Sequence, residues 1–267
     1  MRLVVANDNV FDNLMDEKSK VVYNLLFQIK NDPKAFMVTN DTSYIFAQDS
    51  RRTPNWIFIN KEPDDTTKEE LIALISGMLK LNPLLRVNGD SQFIRPILET
   101  VSNRAGIELK EEINMAVYYC KNVTGITAKG HMIPPKEIHR ERLKELISSM
   151  SLDNDGLLID ADDSEKYISS MIHSGSFALW EDEKIVSMAK VASKHDGFAR
   201  INTIFTDLEE RNKGYTTMLI GEISSKLISE GLTPIIYADL NVETKIDAYK
   251  AVGYEKAGYI TQFAFCQ

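Results

Sequence analysis

Only two cysteines, Cys120 and Cys266, occur in the 267 residues, and they lack CxxC spacing. That excludes a disulfide framework and a thiolate metal site, and both read as small buried hydrophobes. Glycine (13) and proline (8) are scarce, so no segment reads as collagenous or low-complexity. No apolar run approaches the roughly 18 residues that span a bilayer. The opening stretch MRLVVANDNVFDNLMDE meets acids too early for a secretory signal. A cytoplasmic protein without a membrane partner is the expectation. Basic excess is missing too: the formal charge of -8 disfavours nucleic acid, whose affinity comes mainly from phosphate neutralisation. RR at 51–52 and HRER at 139–142 sit among acids without interleaved aromatics and read as solvated faces. Two familiar phosphate cradles, GxxxxGK[ST] and GxGxxG, are absent.

What is present is a chain longer than the usual single domain of about 100–150 residues, enough for two cores. Residues 121–135, KNVTGITAKGHMIPP, interrupt the periodic segments with glycine and paired prolines, so the boundary falls there. Residues 1–125 and 126–267 are the expected domains. In the second, periodicity predicts helices over 136–150 and 165–172, and strands over 176–180 and 184–191 joined at EDEK. A strand over 200–206, a helix over 214–230, a strand over 234–239, a helix over 244–252 and a strand over 258–265 follow. The order is α-α-β-β-β-α-β-α-β.

The first half carries a faint copy of this core. Asn55-Trp56-Ile57-Phe58-Ile59 lies 147 residues before Asn202-Thr203-Ile204-Phe205-Thr206, and the same offset carries Gly106 onto Gly253. A helix over 66–80, a strand over 84–88 and a helix over 90–103 repeat the element order. At that offset Asp64 stands for Arg211, Thr67 for Gly214 and Ser102 for Tyr249. The copy's loop, KEPDDTT, is acidic and lacks glycine, and is not expected to hold an anion.

The chemistry concentrates in TDLEERNKGYTTMLIGEI, residues 206–223. A helix amino terminus carries orphan N–H groups and about half a positive charge. Gly214 gives a ligand access to that backbone, and Arg211 and Lys213 can neutralise a diphosphate. Tyr215, Leu219, Ile223 and Leu227 form an i, i+4 stripe that fixes the helix to a sheet. The spacing describes a phosphate cradle anchored to a core.

Three stretches in order, GSFALWEDEKIVSMAKV, ARINTIFTDLEERNKGYTTMLIGEISSKLISEG and AYKAVGYEKAG, resemble the GNAT superfamily of acyl-CoA-dependent N-acetyltransferases over residues 136–267. The resemblance implies an α/β (α+β) fold of two GNAT-like mixed-sheet domains, the second complete and the first degenerate. It implies acetyl-CoA as co-substrate, its acetyl group passing to a primary amine of unknown identity by direct attack in a ternary complex. Backbone groups of Ile204, Phe205 and Thr206, where the family's strand splays apart at a bulge, would bond the pantetheine arm, and Arg211, Asn212, Lys213, Gly214, Tyr215 and Thr216 the pyrophosphate. Thr216 departs from the family's small residue, though its hydroxyl could donate to phosphate. Tyr249 matches the tyrosine near the thioester sulfur and would protonate the departing thiolate. The family's asparagine falls on Val242, which leaves Asn241, one residue earlier, as a candidate ligand. A CoA-binding sensor or scaffold without turnover, an enzyme for longer acyl chains, and a homodimer all stay open.

No general base stands out. His173 and His195 are placed in loops near the sheet's edges, and Asn202 could position a water. SLDNDGLLIDAD puts Asp153, Asp155, Gly156 and Asp162 on a calcium-loop pattern, but Ser151 stands first and the bidentate glutamate is missing. A solvated turn before a helix, with no metal, is the reading.

Overall fold

The computed structural model describes residues 1–5, 8–50, 53–125, 129–240 and 243–266. They fall into two compact units: Met1–Val117, Ala238–Asn241 and Lys256–Gln267 in the first, Tyr118–Tyr237 and Val242–Glu255 in the second.

The first unit contains Arg2–Leu3 (β1), Val10–Leu14 (α1), Glu17–Val22 (α2), Asn24–Lys30 (α3), Phe36–Thr39 (β2), Tyr44–Gln48 (β3), Asn55–Ile59 (β4), Asp65–Leu81 (α4), Arg86–Gly89 (β5), Ser91–Ala105 (α5) and Glu108–Tyr119 (β6), of which Tyr118 and Tyr119 count with the second unit. The second contains His131–Ile133 (β7), Arg140–Asp155 (α6), Ala161–His173 (α7), Phe177–Asp182 (β8), Lys184–His195 (β9), Phe198–Thr206 (β10), Tyr215–Ser229 (α8), Thr233–Asp239 (β11) and Glu243–Val252 (α9). Glu255–Cys266 (β12) follows and, from Lys256 on, counts with the first unit.

In the first unit the strand order is β1-β2-β3-β4-β5-β12-β6. β4 and β5 are parallel, joined through α4, while β12 runs antiparallel to β5. β4 is buried along its whole length because both its faces are covered, as an unbroken apolar run requires. Leu71, Ile75 and Leu79 recur on one face of α4 and pack with Ile57, Ile59 and Val87, with Ile94 and Leu98 of α5, and with Phe263 and Phe265 of β12.

In the second unit the order is β11-β10-β9-β8-β7, antiparallel except for β10 and β11. Leu143, Leu146 and Ile147 of α6 and Ile168 and Met171 of α7 bury against Phe177, Leu179, Ile185, Met188 and Phe205. The sequence α2-α3-β2-β3-β4-α4-β5-α5 thus recurs as α6-α7-β8-β9-β10-α8-β11-α9, with the parallel pair at the same place. Gly106 and Gly253 both follow a helix with positive φ, 67° and 106°.

Several expected bounds shift for local reasons. Glu137–His139 is a 3-10 turn, and the helix behind it runs five residues past 150 until Gly156 at φ 67° ends it. Asp153 and Asp155 are therefore helical, not part of a turn. α7 begins four residues before 165 because the Asp160 carboxylate accepts from the N–H groups of Asp162 and Asp163. β7 lies inside the stretch read as a boundary and pairs with β8.

Candidate cofactor site

β10 reaches Thr206 and β11 reaches Asp239, yet their parallel pairing runs only from Phe198 opposite Thr233 to Ile201 opposite Ile236. Past that point the two strands part: residues 202–206 have no ladder partner in β11 among the described residues, and the Thr206 carbonyl accepts from Arg211 Nε at 3.5 Å. On its other edge β10 steps from Asn202 opposite Lys190 to Phe205 opposite Met188, leaving one extra residue in a bulge. Thr203 there has φ 51°, a left-handed conformation that a β-branched residue adopts only under constraint. The Tyr167 hydroxyl of α7 lies 3.4 Å from Thr203 Oγ1, which donates to Asn202 Oδ1 at 3.2 Å.

This stretch of β10 leads straight into the loop singled out in the sequence. Asn212 (φ 64°) and Gly214 (φ 81°) turn the chain into α8, whose amino cap receives no side-chain hydrogen bond. The amide of Met218 bonds to the Gly214 carbonyl at 3.1 Å, so the three preceding N–H groups have no intrahelical acceptor. A Cβ at Gly214 would meet only Met218 Cε, at 3.5 Å. Conformation, not crowding, explains the glycine.

The two cations are engaged within the chain. Arg211 Nη2 lies 2.5 Å from Asp153 of α6, with its guanidinium over the Phe205 ring. Lys213 Nζ lies 2.6 Å from Glu210, which also meets Lys184 at 2.9 Å. Lys213 and Lys184 hold the Glu210 carboxyl well below its usual range, at about 2. Asp153, which its spacing puts on a calcium-loop pattern, is thus the counter-ion of the arginine. Among the described residues no group of three or more His, Cys, Asp or Glu could hold a metal ion.

Hydroxyls fix the floor of the loop. Ser187 Oγ donates to the Phe205 carbonyl at 2.9 Å and lies 2.9 Å from Thr206 Oγ1, which lies 2.8 Å from Thr216 Oγ1. Each hydroxyl has one proton, so Thr206 donates to Ser187 and Thr216 donates to Thr206. The Thr216 proton therefore points inward, and the backbone N–H groups are left as the donors toward a ligand. Tyr215 donates to Asp182 at 2.6 Å, a bond that pushes its phenol up to about 12 and pins α8 to β8. Arg142 donates through Nε to the Ile185 carbonyl at 2.9 Å and pairs with Asp207. HRER therefore contains a buttress of the loop, which sequence reading treated as a solvated face. The first unit closes the equivalent place: Asp64 caps α4 by accepting from the Thr67 N–H at 2.8 Å. That bond holds the carboxyl below its usual range.

Tyr249 of α9 is buried at 3 % exposure, its ring between Tyr118 and Tyr254 at centroid distances of 6.5 and 6.2 Å. Tyr254 is tied to Ser224 of α8 at 2.7 Å. Burial pushes the Tyr249 phenol above its ordinary value, so it stays protonated at neutral pH. No hydrogen bond or ring contact links Tyr249 to residues 204–206 or 211–216 among the described residues. Ile204, Phe205, Thr206 and the 211–216 loop, by contrast, form one continuous feature. Asn241 lies outside the described residues. His173 and His195 are not loop residues: they end α7 and β9.

Residues 143–254 match the sequence model of the Acetyltransferase (GNAT) family. Solved structures of the same fold span nearly the whole chain. An acetyltransferase of the GNAT family from Colwellia psychrerythraea is 12% identical, with 99% of this chain and 98% of that chain covered and a TM-score of 0.59. A GCN5-related N-acetyltransferase from Kribbella flavida is 10% identical, with 93% and 95% covered and a TM-score of 0.60. A GCN5-related N-acetyltransferase-like protein from Streptococcus suis is 14% identical, with 96% and 97% covered and a TM-score of 0.52. No curated protein matches the sequence. The segment that matches the GNAT family model contains the parted strands, the bulge and the uncapped helix start. The family is one of acyltransferases that use acyl-CoA. No described helix is long and apolar enough to cross a membrane.

Proposed function

We propose that the second unit transfers the acetyl group of acetyl-CoA to a primary amine by direct attack in a ternary complex. The observation that carries this reading is the continuity of two features: the backbone at 202–206, without a ladder partner in β11 among the described residues, runs directly into an uncapped helix amino terminus at Gly214. A pantetheine arm is an extended chain of amides that needs backbone partners, and the parted strand offers them. A pyrophosphate needs N–H donors and cations, and residues 211–216 supply both.

In the proposed step the neutral amine attacks the thioester carbonyl, and a backbone N–H near Thr206 stabilises the oxyanion. The carbon–sulfur bond breaks, and the thiolate takes a proton from Tyr249, whose buried phenol keeps that proton at neutral pH. The attacking nitrogen releases its own proton to water, and the Tyr249 phenolate regains a proton from water, which restores the acid. Residues 126–267 form the working domain in this proposal, and 1–125 a degenerate copy whose Asp64 cap occupies the place an anion would take. Titration of acetyl-CoA by calorimetry, together with thiol release on an amine panel, tests it. Binding with release on at least one amine is expected; absence of binding overturns it.

A further inference from the structure

The carboxyl half of β9 and the amino half of β10 carry polar groups that the cofactor site does not use. Arg200 lies directly opposite Ser193 in the β9–β10 register, and His195 is two residues from Ser193 on the same strand face. Arg200 is half-buried, and its Nε has no hydrogen-bond partner among the described residues. The same holds for Ser193 Oγ and for both ring nitrogens of His195. Asp196, in the turn between the strands, comes within 3.3 Å of His195 Nδ1 but makes no aligned hydrogen bond to it. Burial pulls the Arg200 guanidinium below its ordinary value, and the one charge-bearing neighbour described for it is the Tyr237 phenol of β11. A buried arginine normally has a carboxylate; removing the partner of such a charge is costly. Among the described residues no carboxylate is paired with Arg200.

The cluster's place in the strand gives it a use. Arg200 stands two residues before Asn202, where β10 leaves β11, so it lies just beyond the closed end of the split. Its side chain points to the same face as Asn202, by strand alternation. One guanidinium edge flanked by a neutral hydroxyl and an imidazole matches a two-oxygen monoanion better than a dianionic phosphate.

We infer that Arg200, with Ser193 and His195, binds a carboxylate, and that the acceptor is an amine carrying a carboxylate a few bonds from its nitrogen. The acceptor assignment rests on the transferase reading above; the carboxylate site does not. Glycine, β-alanine and 4-aminobutyrate, each beside its carboxamide, are the probes. Each is titrated calorimetrically into the full chain and offered as acceptor with acetyl-CoA. At least one acid is expected to bind tenfold or more tighter than its amide. Arg200→Gln should reduce that ratio to within twofold, and Arg200→Lys should restore part of it. Ser193→Val, a smaller change, should lower the ratio severalfold. Because the cation lacks an internal partner, Arg200→Gln should melt no lower than the parent without ligand, whereas a merely structural arginine would lower the melting temperature. Acids and amides binding alike, or discrimination surviving Arg200→Gln, would overturn the inference. If acetyl-CoA binds and amines turn over without acid preference, the transferase stands and the carboxylate site falls. If the acids bind but acetyl-CoA does not, the reverse holds.

Discussion

At Tyr249 the property on which the proposed acid role rests is a proton that stays in place. Replacing it with phenylalanine keeps the ring packing with Tyr118 and Tyr254 and removes only the hydroxyl. Thiol release is expected to fall by about 10²-fold, a usual contribution of a positioned acid, with acetyl-CoA affinity within twofold. Since burial raises this phenol, the parent's rate should show no descending limb from it below about pH 10, which a pH–rate profile checks. Stability follows the same sign. Tyr249 and Tyr254 are both raised by burial, so the unfolded chain loses these protons from about pH 10 while the folded chain keeps them. Stability is therefore full below that pH and declines above it, more steeply in the parent than in Tyr249→Phe; denaturant melts across pH 8–11 read this. Asp153 offers a residue-scale test of opposite direction. It occupies Arg211, so Asp153→Asn is expected to tighten acetyl-CoA binding a few-fold by removing a competitor for the guanidinium.

The glycines at helix ends separate binding from stability. Gly214 at φ 81° and Gly106 at φ 67° both hold left-handed backbone, and neither would crowd a Cβ. Alanine at either should cost about 1 kcal/mol in denaturant unfolding. Only Gly214→Ala is expected also to weaken acetyl-CoA, by tenfold or so in calorimetry, because it shields the N–H groups that begin α8. At this scale much was legible. The apolar run Asn55–Ile59 and the stripe of α8 mark their elements because periodicity is local, and the glycine between cations marks a helix start. The parting of β10 and β11 is not written in local periodicity, since register depends on which strand lies alongside; only the family resemblance implies it, at Ile204–Thr206. Nor is Asp153's pairing with Arg211, 58 residues apart, written there. Arg142 was misread because HRER, taken in sequence, says nothing of which arginine points to Ile185 and Asp207. Strand β6 escaped notice because its first half, ELKEEIN, is polar.

Across the molecule, the recurrence of one element order gives two units with different uses for the same helix start. In one, Asp64 fills it; in the other, Gly214 leaves it open. The units are also interleaved along the chain. Phe263 and Phe265 of β12 are buried in the core with Leu71, Ile75, Ile94 and Leu98. Truncation before Lys256 is therefore expected to cost the first half its protection, with amides of α4 and α5 exchanging faster by mass spectrometry. Fragment 1–125 alone should show the same loss.

That interleaving sets a timetable for synthesis. The second unit has nearly all its residues once position 255 is made, whereas the first, begun earliest, still lacks two aromatic rings and the strand beside β5. On the ribosome the usual amino-to-carboxyl order of domain completion is reversed here. The nascent first half waits with an open sheet edge while the later half finishes, making it the stretch with the longest claim on a holding chaperone.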